Sequence, residues 1–193
     1  MAAAEDSPTP SIRDALRRRL LQERLRFAAS DEATAAAAAL TRALRAVIGE
    51  LQPQCLGLYW PQRAEFNAPA AIAADPAFAE VPLALPFARR NPHEMTYRHW
   101  DGESPRLTDD CGIPASDGAV VVPDVVCVPC VGYTRSGYRL GYGGGYFDRW
   151  LAAHPHVCSV GVAWSTARLD EAGFEPQAHD VALTLIVTEQ GPV

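Results

Sequence analysis

The densest chemistry in the sequence lies between Arg135 and Arg149, where Gly137, Gly141, Gly143, Gly144 and Gly145 alternate with Arg135, Arg139 and Arg149 and are followed by Asp148. Glycines reach positive φ and let backbone N–H groups approach a ligand with no side chain in the way. A β-branched run precedes the loop at Val125 and a helical pattern follows from Tyr146. A strand, such a loop and a helix start make a natural anion site. Arg139 adds a planar fork suited to phosphate oxygens. Asp148, in the first helical turn, is a carboxylate able to hold Mg²⁺ bridging those phosphates. A flexible surface loop with a helix-capping acid is the alternative reading of the same composition. The segment has no Gly-Lys-Ser/Thr of a Walker A loop, and it does not match GxGxxG in a dinucleotide context.

The elements that must position this loop can be read from periodicity. Ser11 is an N-cap candidate for a helix in which Ile12, Leu16, Leu20, Leu21 and Leu25 recur at helical spacing, with Arg13, Arg17, Arg18, Arg24 and Arg26 on the other face. A second helix is expected from Ser30-Asp31-Glu32 through the alanines to about Glu50, and a third over Asn67 to Ala74. Short strands are expected over Gln54 to Trp60, Val81 to Pro86, Met95 to Trp100, Val157 to Ala163 and Leu183 to Thr188, with Asp101-Gly102 as a hairpin turn. Val120 to Val122 and Val125 to Val128 read as a buried strand region broken by Pro123-Asp124. Tyr146 to Ala153 reads as helix. Helices alternating with short apolar strands predict an α/β fold: one three-layer domain over 11–190 with a mainly parallel central sheet, preceded by a flexible tail over 1–10.

The 193 residues suffice for one domain with a real core, and 48% apolar with 21% charged residues is ordinary for a globular chain. A formal net charge of −6 argues against a general nucleic-acid or membrane-surface binder, so positive charge for an anionic ligand must be gathered locally. Met1 to Pro10 has no apolar h-region of a signal peptide, and no run of about 18 apolar residues is present to span a membrane. An odd count of five irregularly spaced cysteines suits a reducing cytosol, so a cytoplasmic location is expected. Cys127 and Cys130 form a CxxC inside an apolar run, without a second ligand pair, and read as small core residues. His93, His99, His154 and His156 show no helical metal spacing and read as surface or loop residues. Trp100 and Met95 read as packing residues.

Pro129, Gly132-Tyr133 and the run Gly137-Tyr-Arg-Leu-Gly-Tyr-Gly-Gly-Gly-Tyr-Phe-Asp-Arg149 resemble the signature of the 5-formyltetrahydrofolate cyclo-ligase family, also called methenyltetrahydrofolate synthetases. Arg13 to Arg17 with Arg24, Trp60 to Glu65, Gly112-Ile113-Pro114, His179-Asp180 and Ile186 to Glu189 follow in the family's order, so the resemblance runs from about Arg13 to Glu189. It implies ATP-dependent cyclisation of 5-formyltetrahydrofolate to 5,10-methenyltetrahydrofolate with release of ADP and phosphate. The partners expected are the small-molecule substrates, and a monomer is expected. It also implies roles. Arg13, Arg17, Arg139, Gly141, Tyr142, Gly143, Gly144, Gly145, Tyr146 and Phe147 would bind ATP. Trp60, Glu65, Tyr142 and Tyr146 would line the folate slot. Asp148 and Asp180 would hold Mg²⁺, and Arg139 and Tyr146 would act on the reacting groups.

The sequence departs from the family in having Arg13 where Lys is usual, and Thr134 and Thr184 where Asp is usual. Those two threonines motivate the competing expectation of a non-catalytic nucleotide- or folate-binding relative. A sugar-phosphate isomerase or acyl-transfer enzyme on a similar scaffold would need a basic or nucleophilic carboxylate in the loop region.

Overall fold

Ser11 caps the first helix, α1 (Ile12–Ala28), by accepting a hydrogen bond from the Asp14 amide at 3.1 Å. The computed structural model describes residues 11–193; the tail expected over 1–10 lies outside the described residues. The second helix, α2 (Ala33–Leu51), buries Leu40, Leu44 and Ile48 at four-residue spacing, one stripe of an otherwise alanine-rich cylinder. Its last turn ends at Gln52 in the left-handed region.

The strands of the main sheet are β1 (Leu56–Gly57), β2 (Leu83–Arg89), β3 (Glu94–Trp100), β6 (Val120–Val121), β7 (Val125–Pro129), β10 (Cys158–Val162), β11 (Leu185–Thr188) and β12 (Gly191–Pro192). They lie in the order β12-β11-β10-β7-β1-β2-β3-β6. The run from β11 to β2 is parallel, while β12, β3 and β6 are antiparallel additions at the two edges. Two small ladders pair β4 (Leu107–Thr108) with β5 (Pro114–Ala115) and β8 (Gly132–Tyr133) with β9 (Arg139–Leu140).

Every residue of β7 is buried, as a strand covered on both faces requires. Its side chains alternate: Val125 and Cys127 join the core beneath α2 and α3 (Ala68–Ala73), and Val126 and Val128 join Trp150 and Leu151 of α4 (Tyr146–Ala153) on the opposite face. The result is a single three-layer α/β domain with a mixed, mostly parallel sheet. Gly57 lets β1 fit between its neighbours, because a Cβ there would lie 2.8 Å from both Tyr97 and Val126. Cys127 and Cys130 are buried core residues, and desolvation pushes both thiols up to about 12.

Three sequence expectations change. The Gln54–Trp60 strand keeps only Leu56–Gly57 in the ladder, since the chain peels away into a turn with Arg63 and Ala64 at positive φ. The hairpin closes over residues 90–93 and not at Asp101-Gly102, because β3 is already paired along its length with β2, from Arg89↔Glu94 to Leu83↔Trp100. Val120 and Val122 are not buried. Val120 belongs to β6, an edge strand, and the two side chains are 64% and 51% exposed. The remaining helices and strands fall within a few residues of their expected ends, and α4 starts and stops as read.

Candidate functional site

In a parallel α/β sheet, ligands bind beyond the carboxyl ends of the strands, where successive connections leave in opposite directions. Here β1 has β2 on one side and β7 on the other, so that crevice opens between β1 and β7. The segment after β1 delivers Trp60 and Glu65, and the segment after β7 leads through the β8–β9 hairpin to the glycine loop. Helix α1 lies across these ends, burying Leu20 with Val131, Leu140, Leu169 and Phe174. The packing of α1 therefore brings its arginines to the loop.

The loop has the backbone that its glycines allow. Gly143 and Gly145 sit at φ 97° and 61°, and Gly145 leads directly into α4 as its N-cap residue. A Cβ on Gly143 would meet the Arg17 guanidinium carbon at 3.4 Å, and one on Gly145 would meet Arg149 Nη1 at 3.1 Å. A Cβ on Gly141 would come within 2.5 Å of Arg139 Nη1, and one on Gly144 within 2.9 Å of the Tyr146 ring. Guanidinium groups thus stand against the loop where side chains are absent. Arg17 is fixed there by Nε donating to the Gly141 carbonyl at 2.8 Å and by an ion pair to Asp14. Arg149 Nη2 donates to the Gly144 carbonyl.

Arg139 and Asp148 form a pair at 2.9 Å with side chains 4% and 13% exposed, and Asp148 Oδ1 also accepts from the Val181 amide. Among the described residues Arg139 Nε is buried with no hydrogen-bond partner, an orphan donor beside the loop. Phe147 lies under the Arg139 guanidinium, 5.5 Å from it to the ring centre. Arg13 and Asp180 form a second pair, at 2.5 Å, with Asp180 also accepting from Gln177 N. Burial raises the Asp180 pKa, but the Arg13 hydrogen bond and the Gln177 amide outweigh it and leave the carboxyl below its ordinary value.

The structure separates the two tyrosines that the sequence reading grouped. The Tyr142 hydroxyl donates to Glu65 Oε1 at 2.7 Å and accepts from Arg24 Nη1 at 2.9 Å, so it joins the crevice. Tyr146 turns the other way: its hydroxyl donates to the Arg89 carbonyl and its ring lies 4.3 Å from that of His93. Trp60 is half-buried and meets Trp100 edge to face at 6.1 Å. Glu65 is the buried carboxylate of the crevice. Desolvation raises its pKa, opposed by the Tyr142 hydroxyl, the Gln62 amide and Arg24.

The donor set suits a triphosphate, with glycine-loop amides, a free helix N-terminus and guanidinium groups on the flanks. The carboxylates also suit Mg²⁺, which takes one or two protein carboxylates beside phosphate and water. Among the described residues no three His, Cys, Asp or Glu side chains gather as a metal site, and Asp148 and Asp180 each face an arginine. The departing threonines are engaged elsewhere. Thr134 Oγ1 accepts from the Tyr138 amide and closes the β8–β9 turn, and Thr184 Oγ1 accepts from the Ser159 amide.

Arg24 and His93 stand at the site beyond the ligand-binding residues expected from the sequence, and Arg149, part of the glycine-rich run, joins them. For Arg24 a signal existed: Arg13, Arg17 and Arg24 stand at i, i+4 and i+11, one face of a helix. His93 carried none, since a hairpin turn distant in sequence brings it to Tyr146.

Comparison with known proteins bears on the fold and the family. The sequence model of the 5-formyltetrahydrofolate cyclo-ligase family matches residues 10–189. A 5-formyltetrahydrofolate cyclo-ligase of Mycolicibacterium smegmatis is 34% identical over 113 residues, 57% of this chain and 54% of the relative. One from Mycoplasma pneumoniae is 35% identical over 68 residues, 35% of this chain and 40% of the relative. The matches therefore span about half or less of those relatives. In three dimensions, a 5,10-methenyltetrahydrofolate synthetase from Aquifex aeolicus superposes with TM-score 0.74 at 25% identity, covering 94% of this chain and 92% of that one. A 5,10-methenyltetrahydrofolate synthetase from Mycoplasma pneumoniae superposes with TM-score 0.73 at 21% identity, over 93% and 99% of the two chains, and shares the fold. With the family's sequence pattern running through nearly all of the elements that build this crevice, the chain belongs to the 5-formyltetrahydrofolate cyclo-ligase family.

Proposed function

We propose that this protein is an ATP-dependent 5-formyltetrahydrofolate cyclo-ligase, converting 5-formyltetrahydrofolate to 5,10-methenyltetrahydrofolate with release of ADP and phosphate. The observation that carries the reading is the glycine turn itself: Gly143 and Gly145 at positive φ lead into α4, with the Arg17 and Arg149 guanidinium groups packed against them. Family membership supports the choice of substrate.

In this reading Gly141 to Gly145 cradle the phosphates through backbone N–H groups, and Arg13, Arg17 and Arg139 orient them. Tyr146 and Phe147 flank the cradle, and Trp60, Glu65 and Tyr142 face the folate. Asp148 and Asp180 are the residues that would hold Mg²⁺, which when bound would offset charge on the phosphates. The formyl oxygen attacks the γ-phosphorus, an O–P bond forms and ADP leaves. N10 then attacks the formyl carbon and gives up its proton, and the C–O bond to phosphate breaks. Phosphorylation makes that oxygen a good leaving group, so the protein's contribution is positioning, charge stabilisation and exclusion of water.

A cytoplasmic monomer with small-molecule partners completes the proposal; among the described residues no helix is long and apolar enough to cross a membrane. The test is purified protein with 5-formyltetrahydrofolate and Mg²⁺, followed by methenyltetrahydrofolate absorbance with and without ATP. Product that forms only with ATP, with ADP in equal amount, is expected. ATP binding without either product would make the chain a binding relative.

A further inference from the structure

Arg24 is buried more deeply than any other arginine of α1, and every nitrogen–oxygen contact it makes bears on the crevice. Its side chain and that of Glu65 are each 4% exposed, with Nη1 at 3.6 Å from Glu65 Oε1. The same Nη1 donates to the Tyr142 hydroxyl at 2.9 Å, and Nη2 donates to the Cys130 carbonyl, the first residue beyond β7. Tyr142 passes its proton side on, donating to Glu65 Oε1 at 2.7 Å, while Glu65 Oε2 accepts from the Gln62 amide at 2.8 Å. One guanidinium therefore joins α1, the end of β7, the segment after β1 and the glycine loop. A buried cation at a structural joint could equally be replaced by apolar packing, yet here it contacts a phenol of the glycine loop and a carboxylate of the segment after β1.

We propose that Arg24 is a positioning residue, which holds the Glu65 carboxylate and the Tyr142 phenol in one fixed arrangement and so sets the geometry between the segment after β1 and the glycine loop. Its functional weight rests on the cyclo-ligase reading, in which Glu65 faces the folate. The arrangement also fixes charge. Around Glu65 stand Arg24 from α1, Tyr142 from the glycine loop, Tyr59 from the end of β1 and Cys130 from the end of β7, with Arg63 over the Tyr142 ring. Of these, Arg24 is the cation in contact with the carboxylate. Removing it while keeping volume leaves burial opposed by the Tyr142 hydroxyl and the Gln62 amide alone, and the carboxyl holds its proton to higher pH.

The experiment is a carbon-13 carboxyl titration of Glu65, assigned with Glu65→Gln, in the ligand-free wild type and in Arg24→Gln, Arg24→Lys and Tyr142→Phe. Arg24→Gln is expected to raise the Glu65 midpoint by about one pH unit or more, which is the scale for loss of an adjacent opposite charge. Arg24→Lys is expected to recover part of that shift, because it restores charge without the fork. Tyr142→Phe is expected to raise it as well. The affinity for 5-formyltetrahydrofolate should follow, falling about tenfold where the variant has lost the charge and the wild type has kept it. Unmoved midpoints in the variants, with only a lower melting temperature, would overturn the proposal and leave Arg24 a packing residue. Should Arg24→Gln not fold, unmoved midpoints in Arg24→Lys and Tyr142→Phe overturn it equally. Shifted midpoints with unchanged folate affinity uphold Arg24's role and remove Glu65 from folate binding.

Discussion

The two sides of the glycine loop hold the same residue types in opposite settings. On one side Tyr142 reaches inward to Arg24 and Glu65, whose side chains are 4% exposed. On the other, Tyr146 meets His93, Arg149 and the Arg89 carbonyl at the surface. Both sides pair a phenol with an arginine. On the first the arginine and its carboxylate partner are desolvated while Tyr142 is 42% exposed, and on the second the arginine is exposed and the tyrosine half-buried. Electrostatic interactions strengthen out of water and unpaired partners become costly there, whereas solvent screens the same contacts at the surface. The inward side is therefore where a substitution should change energy and geometry together, and the outward side is where the loop can adjust.

The largest effect is expected at the other desolvated pair. Arg139→Met leaves Asp148 partly buried and without its cation, and breaking a buried ion pair on one side costs about 3–5 kcal/mol. Asp148 keeps some solvent access, so the low end applies. Urea unfolding of this variant should show a loss of about 3 kcal/mol; a loss below about 1 kcal/mol would place the pair with ordinary surface pairs.

A matched comparison of the tyrosines comes next. Tyr142→Phe removes the hydroxyl that bridges Arg24 Nη1 and Glu65 Oε1, leaves them their 3.6 Å ion pair, and should lose about 1–3 kcal/mol. Tyr146→Phe removes one exposed hydrogen bond and should stay within about 0.5 kcal/mol. Equal losses in unfolding free energy would erase the distinction between the two sides.

Smaller and opposite pH slopes are expected at the two carboxyl groups. The folded-state pKa of Glu65 is raised, so between the unfolded value and the folded one the native state binds more protons. Stability should therefore fall as pH rises through that window, and Glu65→Gln should remove the slope. The folded-state pKa of Asp180 is lowered, so its contribution is present above the unfolded value of 3.8 and is lost as pH falls through the folded one. Asp180→Asn should flatten that acid limb. Slopes of the same sign at both positions would contradict the assigned environments.

Much of this arrangement was legible in the residues. The glycine run fixed where the chain needs positive φ, and Gly143 and Gly145 use it. The β-branched run Val125 to Val128 announced the central strand, the Ser11 cap and apolar spacing marked α1, and the alanine run marked α2. Contacts between distant segments were less legible. Nothing local says that Tyr142 turns toward Glu65 while Tyr146 turns toward Arg89, because that choice is made by the direction of the loop relative to the β2–β3 turn. Asp101-Gly102 misled because turn chemistry is local, while strand pairing is settled by the neighbour that covers the whole strand. The valines of β6 misled because β-branched residues favour a pleated strand whether it is central or at an edge. Thr134 and Thr184, which stood out as missing carboxylates, take hydrogen bonds at a turn and a strand junction.

The central claim is that the glycine turn is a phosphate cradle, and calorimetric titration of ATP with Mg²⁺ into wild type and Gly143→Ala tests it most directly. The new methyl would stand 3.4 Å from the Arg17 guanidinium, in the space between that group and the loop, at a position of φ 97°. The strain of a side chain in a left-handed conformation is about 1–2 kcal/mol and falls in an exposed turn, so the fold should survive. ATP affinity is predicted to fall about tenfold or more, with the pH dependence of the Glu65 carboxyl unchanged. Equal ATP affinity in the two folded proteins would contradict the account.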